Sequence, residues 1–256
     1  MDADFKRVYN KIIYKYVSAD IALKILNDKT LLFSSPDSFN DPLDCYEELI
    51  DITLNKQSYL DFLNKSLKSK LSIGSRSEKR QFINDLKNHP NKFHQLHKRQ
   101  ILEKKKSIGI CCFSENHDNI LLWSHYAQKH EGVCIGFLIP PVTEKTYILY
   151  PVRYKKQISP ISCLEDVDIA IKHWLLTKAI DWEYEHEIRA ISLQYQGLIS
   201  ISPSHIKEVY FGCKIRESAK HDLLYKLQKE FNHVKSFQMK INKNTFGLIP
   251  NQISTF

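Results

Sequence analysis

The stretch IGICCFSENHDNILLWSHYAQKHEGVCIGF, residues 108–137, decides the fold. Ile108, Ile110, Cys112 and Phe113 form an apolar run too short for a useful helix, so the spacing predicts a buried strand. The polar residues 114–119 are turn chemistry, and Asp118 or Asn119 is placed to cap the short helix that follows. Ile120, Leu121, Trp123, Ser124 and Tyr126 crowd that helix. Gly132 follows, expected to take a positive φ at a sharp exit, and VCIGF at 133–137 is a second strand. A Trp, a Ser, a His and a Tyr at 123–126, held between two core strands, mark the place to look for a pocket. Trp123 reads equally well as a core anchor.

Outward from this stretch, Ile12 to Val17 reads as a strand and Ser18 caps a helix over about 21–27. Residues 30–34 form a second strand. The loop that follows, residues 35–44, is built from Pro36, Pro42, Asn40 and Asp41, so it is stiff, and Phe39 docks it on the domain. After a strand pair or kinked strand about Pro151, a helix is expected over 164–179. In WEYEHEIRAI, residues 182–191, Glu183, Glu185, Glu187 and Arg189 alternate with Trp182, Tyr184, His186, Ile188 and Ala190. Period two means strand, with the aromatic side packed inward. Carboxylates two apart on one face need a cation, a ligand or Arg189 beside them, or else a solvated edge with paired lysines. Strands at 198–202, 206–211 and 234–241 and a helix over 216–230 complete the chain. The order is strand-rich with peripheral helices, which argues α+β rather than a doubly wound sheet.

The chain of 256 residues carries a formal charge of +8, and residues 52–106 hold 14 Lys and Arg against 4 Asp and Glu. That local balance of +10 leaves −2 for the rest. A segment with helical apolar spacing and concentrated positive charge reads as a basic helical insertion within a single domain, 1–256, able to steer nucleic acid or a protein partner. His94 and His97 within it lack acidic or thiol companions and read as surface residues. The six cysteines show no CxxC spacing, so free thiols are expected and a zinc site is not. No apolar run approaches the roughly 18–20 residues of a membrane span, and the first residues lack the apolar core of a signal peptide. The expected location is cytoplasmic, away from the membrane.

Three blocks, FNDPLD at 39–44, WSHYAQKHEGVCIGF at 123–137 and WEYEHEIR at 182–189, together resemble the bacterial domain-of-unknown-function family 2971. YKY at 14–16 and IKEVYFG at 206–212 also look like it. The likeness spans about residues 12–215, broken by the basic insertion. A second resemblance is to ADP-ribosyltransferases. GICCFS leading into NILLWSHYA is similar to their middle block, and EHEIRAISL to their glutamate strand; YKY offers Lys15 where a His or Arg is expected. This resemblance implies an ADP-ribosyltransferase-like split β-sheet core and NAD as substrate. It implies Glu187 or Glu185 as catalytic acid, and Tyr14, Lys15, Tyr16, Ser114, Trp123, Ser124, His125, Tyr126 and Arg189 around the cofactor. The loop residues Phe39, Asn40, Asp41 and Asp44 would line the site, with no metal. The corresponding role is a toxin or anti-phage defence effector that modifies nucleic acid or a nucleic-acid-associated protein. The chemistry suits those residue types. An oxocarbenium-like state needs a nearby carboxylate, an aromatic ring stacks on nicotinamide, and Lys15 or Arg189 would neutralise pyrophosphate. Two other readings use the same residues. One is a metal-dependent nuclease built on Asp41, Asp44, Glu185 and Glu187 with Lys178 or Lys15. The other is a non-catalytic nucleic-acid- or protein-binding module.

Overall fold

A computed structural model describes residues 8–51, 75–140, 146–162 and 167–253. In chain order its strands and helices are β1 (Ile12–Val17), α1 (Ala19–Asp28), β2 (Thr30–Phe33), β3 (Ile50–Asp51), α2 (Arg76–Asn88), α3 (Pro90–Ser107), β4 (Gly109–Ser114), α4 (Ile120–His125), β5 (Val133–Leu138), β6 (Ile148–Pro151), β7 (Arg153–Lys155), β8 (Ile161–Ser162), α5 (Val167–Leu176), β9 (Thr177–Ala179), β10 (Glu187–Ser192), β11 (Gly197–Ser200), β12 (Ile206–Phe211), α6 (Glu217–Glu230), β13 (Lys235–Ile241) and β14 (Leu248–Gln252). Eight strands make one mixed sheet in the order β14-β13-β12-β5-β1-β4-β10-β6. Only β12 and β13 run parallel in it. The remaining strands pair off as β11 with β2, β3 with β8, and β7 with β9.

One junction in the large sheet is unlike the rest. β1 pairs with β5 over six residues, yet it meets β4 at a single pair, Tyr14 with Ser114. The two strands part on either side of it. Lys15 Nζ donates to the Cys112 carbonyl at 3.1 Å and Tyr16 Oη to the Asn116 carbonyl at 2.8 Å, so side chains take up carbonyl groups at the opening.

The two faces of the sheet differ because side chains alternate along each strand. On one face Ile13, Val17, Val133, Ile135, Phe137, Val209, Phe211, Ile188 and Ala190 are buried. They join Ala22, Ile25 and Leu26 of α1 and Leu223 and Leu227 of α6 in one apolar cluster. Each large side chain contributes about 1.5–3 kcal/mol by leaving water. Helix α1 begins where Ser18 Oγ accepts from Ile21 N and ends at Lys29 in the left-handed region, φ 53°. The opposite face carries Tyr14, Tyr16, Cys112, Ser114, Glu187, Arg189, Glu208 and Tyr210. A row of paired positions crosses it from Glu208 through Gly136, Tyr14 and Ser114 to Glu187.

Several expectations are corrected. The strand expected over 182–191 is confined to Glu187–Ser192; residues Ile180–Glu185 form a 3₁₀ turn, and His186 at φ 44° separates the two. Both faces of β10 are buried, so Glu187 faces neither solvent nor a lysine-lined edge; Glu185 is buried just before the strand, and Glu183 is exposed on the 3₁₀ turn. The helix expected to reach residue 179 stops at Leu176, and Thr177–Ala179 pairs with β7 instead; LLTKAI contains no Gly or Pro to announce that stop. YILYPVRY divides between two sheets at Val152, whose amide donates to the Glu187 carbonyl. A further strand, β14, follows the expected last one. Its Pro250 is tolerated because β14 is an edge strand. Gly132 does not take a positive φ, because Gln128, Lys129 and His130 make that turn. Glycine is needed at 132 because a Cβ there would collide with the Val17 carbonyl oxygen. Residues 52–74 of the basic insertion and the side chains of His94 and His97 lie outside the described residues. Among the described residues no helix is long and apolar enough to cross a membrane.

Candidate active site

Where β1 and β4 part, a cleft of about 460 Å³ opens on the polar face. Tyr14, Lys15 and Tyr16 come to it from β1, Cys112 to Ser114 from β4, and Leu122, His125 and Tyr126 from α4 and its end. Residues 38–40 and Asp44 come from the stiff loop, Lys178 from β9, Glu185 from the end of the 3₁₀ turn and Glu187 from the start of β10.

Backbone geometry explains how two glutamates converge. Regular alternation would keep Glu185 and Glu187 in one extended row. The left-handed His186 between them kinks the chain, and both carboxylates reach one ammonium: Lys178 Nζ donates to Glu185 Oε2 at 2.6 Å and to Glu187 Oε2 at 3.0 Å. Asp44 lies 3.6 Å from the same nitrogen. A second left-handed residue, Cys45 at φ 51°, follows Asp44 in the loop. Arg189 Nη2 donates to the two Asp44 oxygens at 2.8 and 2.6 Å, and Nη1 points to Cys45 Sγ at 3.3 Å. Arg189 Nε donates to Glu187 Oε1 at 2.8 Å, and Nη1 also donates to the Leu175 carbonyl at 2.8 Å. Asp44, Lys178, Glu185, Glu187 and Arg189 are all buried. Left-handed φ at a non-glycine costs about 1–2 kcal/mol per residue, and here it serves to aim charges.

The electrostatics follow from that packing. Burial alone would raise the Glu187 carboxyl, but Arg189 and Lys178 outweigh it and hold it at about 2. Burial opposes the Lys178 ammonium, yet Glu187, Glu185 and Asp44 prevail and raise it. Cys45 is pushed up to about 12 by burial, against the pull of Arg189, and burial takes Cys112 well above the ordinary thiol range. Both are therefore thiols rather than nucleophilic thiolates at neutral pH. Glu185 is held differently from Glu187. Its Oε1 accepts from the Tyr126 hydroxyl at 2.8 Å, a neutral donor on a residue 38% exposed at the cleft mouth. Burial and the Glu185 carboxylate raise the Tyr126 hydroxyl, so it stays protonated and donating.

Of the residues expected in the site, Tyr14, Lys15, Tyr16, Phe39, Asn40, Asp44, Ser114, His125, Tyr126, Glu185 and Glu187 line the cleft. Four do not. Trp123 is fully buried, packs edge-on against Tyr16 and gives its indole N–H to the His117 carbonyl, so it is the core anchor. Ser124 lies outside the lining, and its carbonyl accepts from Lys129 N. Asp41 closes the loop turn by accepting from Leu43 N at 2.9 Å. Arg189 has no exposed surface, so it braces carboxylates and does not reach a pyrophosphate. Ser114 lines the cleft but spends its hydroxyl on the Glu185 carbonyl at 2.6 Å.

Two contributors fall outside the residues expected around NAD. Lys178, named above only for a nuclease, sits at the centre of the three acids. Its ammonium fills the position a divalent ion would take between them, and among the described residues no group of His, Cys, Asp or Glu is arranged to hold a metal. Asn119 caps α4 through Oδ1 while its amide donates to the Tyr184 carbonyl at 2.6 Å, tying the helix to the glutamate turn. Its capping role was legible in the turn chemistry; its second bond was not.

No curated protein and no solved structure matches the chain. Residues 122–190, from α4 through most of β10, are similar to a family described as Protein of unknown function (DUF2971), and this span carries Tyr126, Lys178, Glu185, Glu187 and Arg189.

Proposed function

We infer that the protein is an ADP-ribosyltransferase-like enzyme that takes NAD as substrate in the cleft between β1 and β4. One observation carries the reading: two buried carboxylates two residues apart line a cleft of about 460 Å³, and only one is bound by a neutral, exchangeable hydroxyl. That volume lies within the roughly 300–1,000 Å³ of small-molecule sites. Glu185 is the substrate-facing acid in this reading, because a ribose hydroxyl can replace the Tyr126 hydroxyl at Oε1. Glu187, clamped by Lys178 and Arg189, is a positioning residue that keeps Lys178 against Glu185.

As the bond between ribose and nicotinamide breaks, its electron pair leaves with nicotinamide and positive charge grows on the ribosyl carbon. A carboxylate beside that carbon stabilises the charge, as in glycoside hydrolysis, and then accepts the proton of the incoming nucleophile. Tyr126 offers a ring face for nicotinamide, and Lys15 lines the cleft as a half-buried cation whose ammonium would leave the Cys112 carbonyl to meet a phosphate.

The test is nicotinamide release from NAD by the purified protein. The expected result is release that Glu185→Gln lowers at least about 100-fold without loss of folding. Absence of release, together with no NAD-induced rise in melting temperature, would overturn the reading.

A further inference from the structure

The short helix α4 has a second side. Leu122, His125 and Tyr126 serve the cleft, whereas Ile120 faces a separate groove of about 530 Å³, walled by His130, Cys213, Lys214 and the β13–β14 hairpin. At the hairpin turn Phe246 is completely exposed, beside Ile241 at 69% and Ile249 at 47%. The turn is held in place: Asn242 N donates to the Gly247 carbonyl at 3.0 Å, Gly247 N to the Thr245 carbonyl at 2.9 Å, and Asn244 N to Asn242 Oδ1 at 2.9 Å. A structured turn therefore presents an aromatic ring to water.

The charge around it is one-sided. From Phe231 to the last residue, Phe256, the chain has no Asp or Glu, while Lys235, Lys240 and Lys243 are present and Lys214 joins Lys243 in the groove. The buried Nδ1 of His130 has no hydrogen-bond partner, and burial together with Lys214 lowers its pKa, so the ring is neutral. Lysines without acids select an anionic partner, and an exposed ring selects a flat one. An acidic peptide adding as a strand would need the free edge of β14, where Pro250 offers no N–H. A duplex hides its base faces by stacking.

We propose that this groove binds single-stranded nucleic acid, with a base stacked on Phe246 and phosphates held by Lys214 and Lys243. The site is distinct from the cleft, and its existence does not depend on NAD being the substrate there.

The experiment is fluorescence anisotropy of a labelled oligothymidylate with the full chain across a salt series. The single strand should bind at low salt and weaken as salt rises. Phe246→Ala should weaken binding by about 5- to 150-fold, the range for loss of one stacked base. That variant should melt as the parent does, because the ring is fully exposed. Lys214→Glu with Lys243→Glu should weaken binding further and flatten the salt slope by about 0.7 for each phosphate no longer neutralised. Failure to bind the single strand, equal affinity for a duplex, equal displacement by polyglutamate, or unchanged binding by Phe246→Ala would each overturn the proposal. The last outcome would move the binding to the lysines and arginines of α2 and α3. Nicotinamide release from NAD alone by Phe246→Ala separates this site from the cleft, since none of its expected changes involves that reaction.

Discussion

The two faces of one sheet are built on opposite principles. On the helix-covered face, Ile135, Phe137, Val209 and Phe211 pack without direction, and shape and area suffice. Across the backbone, Glu187 and Arg189 on β10 share a buried network with Asp44, Lys178 and Glu185 in which each contact depends on distance and angle. The apolar face drives collapse. The charged face stabilises little on balance, because desolvation offsets much of the attraction, but it is strict about arrangement. Conformational economy alone would have filled it with leucine, so its charges point to chemistry.

The largest expected effect breaks that contrast outright. Arg189→Met leaves Asp44 and Glu187 buried with Lys178 alone facing them, removes both hydrogen bonds to the Asp44 oxygens, and should cost about 3–5 kcal/mol in urea unfolding. Adding Asp44→Asn should recover part of the loss, so the double variant is less destabilised than the two single losses combined. Strict additivity would mean that the two residues are not energetically coupled.

Acid comes next. Glu187 is held at about 2 against an ordinary 4.5, so the stability it contributes is complete above about 4.5 and is lost as pH falls toward 2. Melting temperature should fall across that window, by the equivalent of on the order of 3 kcal/mol, and Glu187→Gln should flatten the fall. A parallel decline in both proteins would place the acid sensitivity elsewhere.

The smallest effect lies on the apolar face. Ile135→Val, at a fully buried position of β5, should cost only about 0.5–1.5 kcal/mol and leave the acid profile unchanged. A loss as large as that of Arg189→Met would erase the distinction between the faces.

Much of this was legible in the chain, and the failures have physical causes. The alternation in EHEIR grouped Glu185, Glu187 and Arg189 correctly, but a period of two reports which residues share a face, not which face meets water. His186 is a side chain like its neighbours on paper, and nothing local announces its left-handed φ. Lys178 was named only beside the nuclease acids because LLTKAI continues an apolar helical pattern, and its strand pairing with β7 is a tertiary effect. Trp123 drew attention as a rare residue among polar ones, although its burial against Tyr16 decides its role. The loop at 35–44 was readable because Pro, Asn and Asp carry their turn chemistry within themselves.

The lone Tyr14–Ser114 pair also has a mechanical meaning. Every other ladder of the large sheet is fastened at four to six positions. The sheet is thus two stiff boards with a hinge between them, latched by Lys15 on Cys112 and Tyr16 on Asn116. A molecule wedging into that hinge strains one rung and two latches, while the boards on either side keep their own rungs intact.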